Sequence, residues 1–147
     1  MAFENSALKT VIEVLHDGEK GFRSLGEELK DSSARSFFME ESTTRGRFAS
    51  ELESTLSSET GENVSEGTTM SGTMHRAWGE LKAKMGGSDH TLLETAEQGE
   101  DAAKKAYEEV LKMKDVPGNL VSILRRQQMH IQASHDRVKA MRDATAA

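Results

Sequence analysis

The chain has 147 residues, 35% hydrophobic and 30% charged, with one proline, no cysteine and a formal net charge of −6. That length suits one domain with a real core, and the lack of cysteine excludes disulfides, thiolate metal ligands and cysteine nucleophiles. The negative balance argues against general affinity for nucleic acid or an anionic membrane, and no run approaches the ~20 apolar residues of a membrane span.

The start, MAFENSALKTV, carries no export signature, so the cytoplasm is the expected location. A first helix is expected from about Ser6 to Lys30, with Ser6 or Asn5 as its cap. Leu8, Val11, Ile12, Leu15, Phe22, Leu25 and Leu29 recur there at helical spacing. Asp31-Ser32-Ser33 is a tight connection that caps a second helix, about Ser33 to Leu56, with Phe37, Phe38, Phe48, Leu52 and Leu56 on its apolar side. So short a link makes the two helices an antiparallel hairpin.

Residues 57–72 are polar and rich in Gly, Ser and Thr, and read as a surface loop. A short amphipathic helix follows, Thr73 to Met85, with Met74, Ala77, Trp78, Leu81 and Met85 on one face and Gly86-Gly87 ending it. His75 and Trp78 lie about one turn apart on it. They line a small pocket at the bundle's flank, or Trp78 is the anchor that pins this helix down. A third long helix is expected from about Thr91 to Lys114, with Ser88 or Asp89 as cap and Thr91-x-x-Glu94 as a capping box. Pro117 fits the first turn of a fourth, which runs to about Asp143.

Helices of ~25 residues span roughly 37 Å. Two hairpins with one stripe each bury those stripes only against each other. Residues 57–90 are long enough to travel back along the bundle. The expected fold is therefore a single all-α domain over 1–147, an antiparallel four-helix bundle in up-down-down-up order, with a short extra helix in a long crossover. Residues 117–147 are net +3 and the remainder net −9. That asymmetry reads as a solvated mixed face or as a basic helix able to dock on acidic neighbours.

Placing residues at about 100° each around the helices drives several polar groups inward. Glu19 falls at the edge of the first stripe, and Glu41 near the centre of the second with Arg45 one turn on. Glu100 falls inside the third stripe, and Tyr107 lies near it. Gln127 and His135 flank Ile131 on the fourth, and Gln128 is nearer the edge. His130 lies at the side of that stripe, and His16 and His90 are expected to be exposed. Buried charge is expensive unless paired or bound to metal.

Two explanations follow. In the first, Glu19, Glu41, Glu100 and His135 resemble the ligands of a carboxylate-bridged di-metal bundle, for which iron or manganese suits the donors. The match is incomplete. The second helix has Glu41-x-x-Thr44 and the fourth Gln132-x-x-His135, and Arg45 places a positive charge where a cation would sit. In the second, Arg45 pairs with Glu19 and Glu41, and His135 with Glu100, in a buried polar network that includes Gln127, Gln128 and Tyr107. Gly-rich phosphate loops, H-E-x-x-H pairs and G-x-S-x-G elbows are absent, so no complete catalytic constellation is present.

The segments VIEVLHDGEKGF, MHRAWGELK, AEQGEDAAKKAYEEVL and HIQASHDRVKAMRD resemble a bacterial family of ferritin-like four-helix-bundle proteins, known only as a domain of unknown function. The resemblance runs from about Leu8 to Asp143. It rests on Asp17-Gly18, His75, Trp78, Glu97, Glu100 and His135-Asp136. It implies a ferritin-like fold, a bacterial cytoplasmic setting and homo-oligomers. The incomplete ligand set argues against iron storage even within that fold. The leading expectation is a bundle with at most a partial metal site and a role in bacterial stress or metal physiology. The alternative is a metal-free structural or interaction module acting as a homo-oligomer or adaptor.

Overall fold

A computed structural model describes residues 6–60 and 88–145. They form four helices, α1 (Ser6–Glu28), α2 (Ser32–Thr60), α3 (Asp89–Leu111) and α4 (Gly118–Ala144), with no strand among the described residues. The short helix expected over 73–85, with His75 and Trp78, lies outside the described residues.

The helix ends follow from capping chemistry. Asp31 is the N-cap of α2, its carboxylate accepting from the Ala34 N–H at 2.8 Å. Ser88 caps α3, its Oγ accepting from the Thr91 N–H at 3.3 Å. Glu94 does not close the expected capping box; it lies beside His90, 3.7 Å from Nε2. Pro117 stands one residue ahead of α4 rather than in its first turn, as the N-cap with φ −53°, and its carbonyl accepts from Val121 at 3.0 Å. A proline is tolerated there because no N–H is required of it.

Two apolar clusters occupy the two ends of the bundle. One joins Leu8, Ile12 and Leu15 of α1 to Leu52 and Leu56 of α2, Val110 of α3 and Leu120 of α4. The other joins Phe22 and Leu25 of α1 to Phe38 of α2, Leu92 of α3 and Val138 of α4. Each fully buried leucine or phenylalanine contributes about 1.5–3 kcal/mol. The chain order within each cluster sets the directions: α1 and α4 run one way, α2 and α3 the other. α1 neighbours α2 and α3, and α4 neighbours the same two, so the pairs α1/α4 and α2/α3 are diagonal. Thr60 and Asp89 thus lie at opposite ends. Asp89 ties the start of α3 to the α1–α2 turn, accepting from the N–H groups of Lys30 at 2.9 Å and Asp31 at 3.0 Å.

Candidate functional site

Between the two apolar clusters lies a polar layer centred on Arg45, which is 0% exposed. Arg45 follows Glu41 by one turn of α2, so both share the inward face. Its Nε donates to Glu41 Oε2 at 3.0 Å. Its Nη2 donates across the diagonal to Glu100 Oε1 of α3 at 2.5 Å and to Ser134 Oγ of α4 at 3.1 Å. Ser134 in turn donates to Glu100 Oε2 at 2.5 Å. The guanidinium carbon lies 4.8 Å from the centre of the Phe22 ring of α1, a cation–π contact. Gly18 of α1 lies beside the Arg45 side chain, and a Cβ there would be in ordinary contact, 3.5 Å from Nη1. One side chain therefore touches all four helices.

The layer has two carboxylates and one guanidinium, with Glu41 3% and Glu100 0% exposed. Burial works against the Arg45 charge, but the adjoining Glu100 and Glu41 carboxylates outweigh it and raise its pKa. Burial likewise pushes the Glu41 carboxyl up, yet the hydrogen bond from His130 and the Arg45 charge hold it below the usual value. Glu41 is thus a carboxylate, and the proton in its 2.7 Å contact with His130 sits on the imidazole Nε2. His130 is half-exposed and packs edge-on to Phe48, ring centres 5.2 Å apart.

A second tier lies toward the Tyr107 end. Tyr107 donates to Gln127 Oε1 at 2.7 Å, and Gln127 Nε2 donates to Glu51 Oε1 at 2.9 Å and to the Phe48 carbonyl at 3.3 Å. Arg126 closes the chain on the other oxygen of Glu51. Burial pushes the Tyr107 phenol far above its ordinary range, so it stays a donor. Gln128 is half-buried and makes no hydrogen bond in this chain of contacts.

Of the four residues read as ligands, the fold brings Glu41 and Glu100 to one guanidinium and leaves Glu19 and His135 elsewhere. Glu19 is 43% exposed at the α1/α2 edge, its carboxylate over Gly46 and 3.8 Å from His16 Nδ1. His135 does not pair with Glu100; its Nε2 is 2.9 Å from Asp101 and 3.9 Å from Glu97, and its Nδ1 is 3.4 Å from Asp136. The expected Arg45–Glu19 pair is likewise replaced by Arg45–Glu100. The reason is reach: an arginine can cross the bundle axis, and once it does it takes the nearest buried carboxylate. Among the described residues no three His, Asp or Glu side chains stand together so as to hold a metal ion.

His16 and His90 are half-buried rather than exposed. His16 Nε2 lies 2.9 Å from Glu53, and His90 Nδ1 lies 3.2 Å from the Arg142 carbonyl. Ser134 was missed, although it sits between Ile131 and Val138 at helical spacing, in the middle of the stripe. A small hydroxyl in that position reads as neutral to burial, so the spacing alone did not single it out.

No curated protein matches the chain. A family model described as a domain of unknown function, DUF2383, matches residues 4–113. The matched stretch contains Glu41, Arg45, Glu100 and Tyr107; α4, which supplies Gln127, His130 and Ser134, lies beyond it. With about three-quarters of its length matched, this chain belongs to the DUF2383 family, a domain of unknown function.

Proposed function

We propose that this chain is a metal-free ferritin-like bundle that serves as a structural or interaction module, acting in the bacterial cytoplasm as a homo-oligomer or adaptor through its outer faces. The carrying observation is the Arg45 guanidinium, bonded to Glu41 at 3.0 Å and Glu100 at 2.5 Å on the bundle axis. In a carboxylate-bridged metal bundle, cations neutralise inward glutamates. Here a covalently attached cation does so, and its charge repels a metal ion at the same place. The up-down-down-up order supports the ferritin-like part of the reading, since that order needs one long crossover.

The competing reading gives iron or manganese to Glu19, Glu41, Glu100 and His135, with a role in stress or metal physiology. It requires Arg45 to leave the layer and His135 to leave Asp101. The two readings separate on metal content. The full chain is purified without chelators, offered ferrous iron or manganese anaerobically, desalted and analysed by plasma emission, beside Glu100→Gln. Trace metal, equal in both chains, is the expected result. Stoichiometric iron or manganese that disappears in Glu100→Gln overturns the proposal. Light scattering on the eluted protein then reports whether it is a homo-oligomer.

A further inference from the structure

A groove of about 480 Å³ opens along the α2/α4 seam, between Thr44, Arg47 and Phe48 on one side and Arg126 and His130 on the other, with Glu51 at its edge. Of the four neighbouring helix pairs, α2 and α4 approach least closely. Long polar side chains bridge the gap: His130 to Glu41, and Gln127 to Glu51 and Phe48.

The chemistry of the lining is lopsided. Two guanidiniums face one carboxylate, and that carboxylate is engaged at both oxygens, by Gln127 at 2.9 Å and by Arg126. Arg47 is different. It is exposed, its Nη2 makes a single 3.4 Å contact with Thr44 Oγ1, and among the described residues no carboxylate stands at ion-pair distance from it. In a chain of net charge −6, such a concave positive spot is a local exception. Guanidinium forks match the oxygens of phosphates and carboxylates, and two of them with a hydroxyl can hold a tetrahedral oxyanion. His130 Nε2 is committed to Glu41, so the groove wall is held in place by the buried layer behind it.

We propose that this groove binds a small free oxyanion of the phosphate class, held by Arg47 and Arg126 with the Thr44 hydroxyl as a further donor. A small ion is favoured over an extended anionic surface or polyanion because the overall negative charge opposes both.

The test is a titration of the isotope-labelled full chain with inorganic phosphate at constant ionic strength, with chloride as the balancing anion. Saturable shifts confined to amides 44–51 and 126–130 are expected. Arg47→Gln, at an exposed position, should keep the wild-type melting curve and weaken phosphate binding about tenfold. Arg126→Gln serves as a second variant that should also weaken phosphate binding, although it removes the Glu51 ion pair and is expected to lower the melting temperature. Shifts that stay linear with phosphate, that chloride reproduces, or that Arg47→Gln leaves intact overturn the proposal. So does sedimentation with phosphatidate-containing vesicles when inorganic phosphate gives no shift, because the phosphate would then be recognised only on a lipid surface.

Discussion

Arg45 shows how much one side chain can decide. Its guanidinium is out of water, and what makes that tolerable is the ring of partners around it: Glu41, Glu100, Ser134 and the Phe22 face. Removing one member of a buried ion pair strands the others, which costs about 3–5 kcal/mol. Arg45→Ala is therefore expected to lower unfolding stability by about that much in urea denaturation, and adding Glu41→Gln and Glu100→Gln should restore part of it. A loss below about 1 kcal/mol would mean the pairing does not neutralise buried charge. Lysine is no substitute, having no planar fork to reach three acceptors at once. Glu41 gives the layer its pH dependence. Burial raises its pKa, but His130 and Arg45 lower it further, to a net value below the ordinary 4.5. A depressed carboxylate stabilises the fold above its unfolded-state pKa, and that stability fades as pH falls through the lower folded value. The stability gap between wild type and Glu41→Gln should accordingly be full at neutral pH and shrink below about pH 4.5 in denaturation series across pH.

Helices meet according to what their small residues allow. A Cβ on Gly26 of α1 would lie 3.1 Å from Phe38 Cβ and 3.1 Å from Met39 Cε of α2. Phe38 Cβ is fixed to its backbone and cannot swing aside, so Gly26→Ala should destabilise by about 1–3 kcal/mol despite the better helix propensity of alanine. Gly46 of α2 gives the opposite case. A Cβ there would meet Glu19 Oε2 at 2.6 Å, but that carboxylate is the far end of a flexible side chain with open water beside it. Gly46→Ala should stabilise by about 0.5–1 kcal/mol once Glu19 turns outward. Paired urea denaturations decide it: two changes of the same sign would mean the α1/α2 seam is not packed this way. Much at this scale was legible. Apolar spacing marked the buried faces, and Asp31, Ser88 and Pro117 marked helix starts through local chemistry. The helix ends nonetheless differ from expectation: α1 ends at Glu28 and α3 at Leu111, while α2 is helical through Thr60, past Leu56. C-terminal turns lack so strong a local signal, and packing decides how far they persist.

For the molecule as a whole, the fourth helix completes what the first three begin. It contributes Leu120, Leu124, Ile131 and Val138 to both apolar clusters, and Ser134 and His130 to the Arg45 layer. The family match stops at residue 113, before this helix. A chain truncated after Met113 should keep helical circular dichroism but lose the cooperative thermal transition and bind a hydrophobic dye. A sharp transition in the truncated chain would show that α4 is dispensable to the core.

Residue order alone determined that the described residues form helices, which stripe each long helix hides, and that Glu41, Arg45 and Glu100 face inward. Those properties are local: they depend on a repeat of about 3.6 residues that each helix carries by itself. Which inward groups meet depends on axial stagger and on the diagonals of the bundle, and neither is written in any one helix. Only the tertiary structure decided that Arg45 crosses to Glu100, that Glu19 turns out over Gly46, and that His135 joins Asp101. A rotation of a few tens of degrees or one turn of sliding would exchange those partners, and only the packing of all four helices together prevents it.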